Sequence, residues 1–143
     1  MKQLCILFVT AFFSLVAQAQ NADITKVLEF KNASFDFGKI TYGKPVKYTL
    51  EVKNIGADSV TLENVQVGCG CTTPEYEKNK RFASGETVKI TLGFNGGTQG
   101  AFSKSATLYF SGGLQKVVTF KGETFTAPET PAPTNGAVQK MKS

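Results

Sequence analysis

PVKYTLEVK, residues 45–53, alternates apolar and polar side chains without a break. Val46, Tyr48, Leu50 and Val52 share one parity, and Lys47, Thr49, Glu51 and Lys53 share the other. A period of two places one set against a core and the other in water, as a half-buried strand requires. Asn54-Ile55-Gly56-Ala57-Asp58 then ends the pattern with turn-forming residues.

The same rhythm extends in both directions. Val60-Thr61-Leu62-Glu63 resumes the alternation, and Val65 and Val67 carry it toward two cysteines. The one-residue slip between Leu62 and Val65 calls for a bulge or bend. Val88, Ile90, Leu92 and Phe94 alternate with polar residues, and Asn95–Gly100 reads as a glycine-rich hairpin connection. Phe102, Lys104, Ala106, Leu108 and Phe110 lie on one parity of the strand that follows. Ser111-Gly112-Gly113 turns again, and Leu114 through Gly122 forms the last strand. Upstream, Val27–Phe30 and Ser34–Phe37 read as one first strand with a kink. Residues 72–86 lack a strand period and read as a loop crossing between sheets. No segment sustains a helical period. Short strands with turn signals at roughly ten-residue spacing predict a β-sandwich or a small barrel. Phe30, Phe35, Phe37, Phe82, Phe94, Phe102, Phe110 and Phe120 are its large core candidates.

The two ends read differently. Lys2, an apolar run from Leu4 to Val16 and Ala17-Gln18-Ala19 have the layout of a cleavable export signal. The expected organisation is a signal peptide over 1–19, a domain over 20–123 and a disordered proline-rich tail over 124–143, with no membrane span once the signal is cut. Cys5 leaves with the leader. The chain carries a net charge of +5, and loss of Lys2 with the leader leaves +4. Its lysines are interleaved with acids, so no basic block tracks a nucleic-acid backbone. With no histidine in the chain, neither a Ser-His-Asp nor a Cys-His arrangement can form. The expectation is a protein that is not an enzyme and holds no cofactor. Export implies an oxidising compartment: periplasm, outer surface or medium.

Four short motifs then fall in order: Phe35-Asp36-Phe37-Gly38-Lys39-Ile40, Val52-Lys53-Asn54-Ile55-Gly56, Cys69-Gly70-Cys71-Thr72 and Ser84-Gly85-Glu86. Over about residues 30–122 they resemble the family called domain of unknown function 1573, secreted modules common in Bacteroidetes-type bacteria. Ser84 stands where that pattern has proline, and Ser111-Gly112-Gly113 where it has a Ser-Asn turn. The resemblance implies an all-β, immunoglobulin-like sandwich of about seven antiparallel strands, akin to modules used for protein contacts. It singles out Gly70, Thr72, Asn54, Gly56 and Gly85 as residues supporting the motifs.

Cys69 and Cys71 admit four readings. They form a disulfide, pack as small buried thiols, hold a soft metal such as Cu(I), or take part in redox or intermolecular exchange. In a straight strand the Cα atoms of residues i and i+2 lie about 6.6–6.8 Å apart, the upper edge of disulfide geometry. A bridge therefore needs a bend, which Gly70 permits. It closes so small a loop that the chain-entropy gain is only about 1.6 kcal/mol. Zinc wants four ligands, which two cysteines without histidine do not supply. The expected role is a binding or scaffolding module of the bacterial cell envelope, its partner another envelope protein. The alternative is a thiol-disulfide or copper-handling protein centred on Cys69 and Cys71.

Overall fold

The computed structural model describes residues 23–128. They form nine strands: β1 (Leu28–Lys31), β2 (Ser34–Thr41), β3 (Val46–Asn54), β4 (Val60–Val67), β5 (Thr72–Glu75), β6 (Lys80–Phe82), β7 (Thr87–Phe94), β8 (Gly100–Phe110) and β9 (Leu114–Phe125). Two single turns of 3-10 helix, Ile24–Lys26 and Ser111–Gly113, complete the described chain.

The strands make two sheets, ordered β1-β3-β7-β5 and β2-β9-β8-β4-β6. In β3, Tyr48, Leu50 and Val52 are buried while Lys47, Thr49 and Lys53 face out, as the alternation requires. On that outer face the Thr49 and Thr91 hydroxyls meet at 2.8 Å, and Lys47 pairs with Glu75 across two strands. The slip after Leu62 is a register shift against β8 between Leu62 and Asn64. The two inner faces share one core that includes Leu50, Val52, Leu62, Ile90, Leu92, Phe94, Leu108, Phe110, Val118 and Phe120. Phe35 stacks on Tyr48 with centroids 4.7 Å apart, and Phe94 on Phe102 at 4.3 Å. Burying a side chain of this size contributes about 1.5–3 kcal/mol, so the aromatic set supplies much of the cohesion.

Three expectations need correction. The kinked first strand is two strands in different sheets: β1 pairs antiparallel with β3, and β2 pairs parallel with β9. Asn32 makes the switch in the left-handed region at φ 61°, its amide donating to the Thr49 carbonyl at 3.3 Å. The inward parity changes from even at Leu28 and Phe30 to odd at Phe35 and Phe37, a slip that a kink within one strand would produce equally, so the pattern alone does not separate the two. Residues 72–86 do cross between the sheets, but they form β5 and β6 on the way. Finally, β9 runs to Phe125, past the expected domain end at 123. Thr124 is buried there, its hydroxyl donating to the Thr98 carbonyl. The expected signal peptide and residues 129–143 of the expected tail lie outside the described residues.

Candidate functional site: the disulfide turn and the open half of β8

The chain leaves one sheet at Val67 and enters the other at Thr72, and the turn between them carries both cysteines. Gly70 is exposed at its tip, and a Cβ there would meet nothing within 4 Å. The turn is tight: the Thr72 N–H donates to the Cys69 carbonyl at 3.3 Å. It draws the Cys69 and Cys71 Cα atoms to 5.3 Å, and the two sulfurs are bonded as a disulfide. The expected bend is therefore present. Cys71 packs against the core, and its carbonyl accepts from the Asn95 N–H at 3.1 Å. Cys69 is half-buried, with its Sγ 3.8 Å from the buried Thr72 hydroxyl. Among the described residues no three His, Cys, Asp or Glu side chains group as metal ligands.

Of the motif residues, Gly70 and Thr72 belong to this turn, whereas Asn54, Gly56 and Gly85 do not. They sit at the other end of β3 and β7, roughly 25 Å away by strand rise. Asn54 is fully buried. Its side-chain amide donates to the Asp58 carbonyl at 2.8 Å and the Phe82 carbonyl at 3.3 Å, and its Oδ1 accepts from the Gly56 N–H at 3.0 Å. Its own carbonyl accepts from the Gly85 N–H at 2.7 Å. Gly85 stands at φ 82°, which glycine adopts without strain. These residues tie two turns together.

Beside the disulfide lies a feature that the sequence reading missed. β8 pairs with β9 along its whole length, but with β4 only from Ala106 to Phe110. Past Val67 the disulfide turn carries the chain away, so Gly100–Ser105 has no strand on that side among the described residues. The Ser105 carbonyl oxygen lies 4.0 Å from where a Cβ on Gly68 would stand. The odd-numbered residues of β8 thus turn their backbone groups toward β4 and its vacated place, because these groups alternate along an antiparallel strand. Ala101, Ser103 and Ser105, all exposed, turn their N–H and C=O groups to that side, where Gly68 still lies opposite Ser105.

The sandwich guards its other edges. β1 and β5 have four residues each, β5 includes Pro74, and β6 has three. β2 is longer but shifts register between Asp36 and Lys39, with Gly38 at φ 65°. Short strands, proline, charge and bulges are the usual defences of a sheet edge. The open half of β8 has only Lys104, a half-buried lysine on the same parity as Phe102 and Ala106. A cleft of about 220 Å³ brings Gly68, Cys69, Ser103, Lys104 and Ser105 together. A larger one, about 490 Å³, lies among Asp36, Lys39, Lys121 and Glu123; it shares Ala101 and Ser103 with the open edge but touches neither cysteine.

The model of a family described as Protein of unknown function (DUF1573) matches residues 28–124. No curated protein matches the sequence. Several solved structures share the fold. The ASH / PapD-like domain 7 of human CEP192 is 15% identical with a TM-score of 0.56, over 71% of this chain and 87% of that one. The Vibrio cholerae VesB protease is 16% identical with a TM-score of 0.58, over 72% of this chain and 33% of its own. A protein of unknown function from Porphyromonas gingivalis W83 is 17% identical with a TM-score of 0.57, over 68% and 46%. The chain thus spans about a third of the Vibrio protein and under half of the Porphyromonas one. At these identities the likeness is one of fold: an all-β sandwich of the PapD-like, immunoglobulin-like kind.

Proposed function

The chain belongs to the family described as Protein of unknown function (DUF1573), and from that premise we propose that it is an exported binding module of the cell envelope. It takes up an extended segment of a partner protein as an added strand along Ala101–Ser105. The observation that carries this reading is the open half of β8, a row of backbone donors and acceptors without the defences of the other edges. Backbone bonds supply the affinity in strand addition, and the flanking pockets select side chains. The module works by binding and not by turnover. The chain has no histidine, and its likeness to the Vibrio protease covers a third of that protein, so no hydrolytic chemistry is carried across.

The test is capture by cross-linking from envelope extracts, with the intact protein and with Ser103→Pro. Proline removes an N–H that no ladder bond uses, so the variant keeps its fold, which a thermal melt checks. The expected result is a reproducible protein partner that the proline variant loses and Ser103→Ala retains. Equal recovery by the proline variant, or no partner at all, contradicts the reading.

A further inference from the structure

The cleft at the open half of β8 also holds a disulfide. Resting on the strand-addition reading above, we propose that the segment bound there carries a pair of cysteine thiols, with which the Cys69–Cys71 disulfide exchanges. Two elements meet in that cleft. One is the row of backbone groups at Ala101, Ser103 and Ser105, which aligns a strand. The other is Cys69, the one sulfur-bearing residue that lines the cleft. A segment laid along β8 passes Cys69, which lines the cleft, while Cys71 is backed by the core.

The surroundings suit exchange. Lys104 lies on the inward parity of β8 and emerges into the cleft beside Cys69. It joins no ion pair among the described residues. An ammonium lining the cleft stabilises the charge that develops on Cys69 when it leaves in the second step, and the Thr72 hydroxyl, 3.8 Å from Cys69 Sγ, adds a donor. The direction of electron flow follows from cysteine spacing. A bridge across a single residue closes only against a sharp bend, and bridges held under strain are the more readily reduced, so a partner with better-spaced cysteines holds the disulfide more stably.

The steps balance. The partner's first thiolate attacks Cys69 Sγ, the Cys69–Cys71 bond breaks, and Cys71 leaves as a thiolate that takes up a proton. The partner's second thiolate then attacks its own sulfur in the mixed disulfide, and Cys69 leaves with the electron pair and is protonated in turn. The partner dithiol is oxidised by two electrons and the motif is reduced by the same two. The exchange is stoichiometric.

The experiment uses three forms of one Thr/Val-rich synthetic peptide of roughly a dozen residues, a length that spans the open edge. One form has two well-separated cysteines, one has a single cysteine, and one has serine at both positions. After acid quench and alkylation, mass mapping of the purified protein is expected to place the single-cysteine peptide on Cys69 and the alkyl group on Cys71. The two-cysteine peptide is expected to emerge oxidised, leaving both protein thiols free. Ser103→Pro is expected to slow the exchange about tenfold, the loss of one or two backbone bonds. Lys104→Gln is expected to slow the cysteine peptides by a larger factor than it changes the serine peptide's affinity. The outcomes separate the two readings. If the serine peptide binds but the cysteine forms react no faster than with an oxidised Cys-Gly-Cys tripeptide, the exchange is overturned and the edge stands. If Ser103→Pro reacts like the parent, the edge reading is overturned too. An adduct on Cys71 overturns the assignment of the attacked sulfur.

Discussion

The side-chain amide of Asn54 donates to the backbone carbonyl of Phe82 at 3.3 Å, joining the end of β3 to the end of β6. Because Asn54 also holds the Asp58 carbonyl and the Gly56 N–H, one buried side chain closes two turns. Asn54→Ala strands these buried groups without partners. It is expected to cost about 2–3 kcal/mol, read as a lower denaturant midpoint at unchanged slope. A cost under half a kcal/mol would show that the tie is dispensable.

The disulfide is the opposite case. A three-residue loop constrains the unfolded chain little, so replacing both cysteines by alanine is expected to cost at most about 1.6 kcal/mol. Reduction should leave the far-UV spectrum and the cooperative melt nearly unchanged. Loss of the fold on reduction would make the bridge a structural staple and undercut a role in exchange.

Tyr48 is buried with its hydroxyl unpartnered among the described residues. Burial pushes its pKa up from 10.0 to about 12. Below pH 10 both folded and unfolded chains hold the proton, and the residue confers no pH dependence. Above it the unfolded chain loses the proton first, so stability falls by about 2–3 kcal/mol as pH rises from 10 toward 12. Tyr48→Phe is expected to remove that component and to leave stability at neutral pH equal or slightly higher. An unchanged alkaline profile in the variant would contradict the account of this site.

Gly122 in β9 has the Phe102 ring at 2.8 Å and the Gly38 carbonyl at 2.9 Å from where a Cβ would stand. Gly122→Ala must push β2 or the Phe102 ring aside, at an expected cost of about 1–3 kcal/mol. Gly70→Ala, with open space around it, is expected to cost far less. Parallel melts of the two variants check the contrast.

Much of this architecture was legible in the residues. Tyr48, Leu50 and Val52 announced their buried face by parity alone, and the slip after Leu62 announced its bulge. Gly70 between two cysteines allowed the bend that a bridge needs and left the pairing open. Parity reports which face a residue takes but not which strand lies beside it. For that reason the passage of the chain between sheets at Asn32 showed only as a kink, and the parallel partnership of β2 with β9 left no trace. The open half of β8 was hidden for the same reason. It exists because β4 stops at Val67 while β8 runs on, a relation between distant segments. Lys104, a charge on an otherwise apolar parity, was the one local sign of it.

Amide hydrogen exchange along β8, in the free protein and with an extended partner segment bound, tests the open edge most directly. The free protein should exchange quickly at Ala101, Ser103 and Ser105 and slowly at Phe102 and Lys104, with Thr107 and Tyr109 protected by β4. On binding, the three fast positions should become slow. Protection of all three in the free protein, or no change when the segment binds, would contradict strand addition at β8.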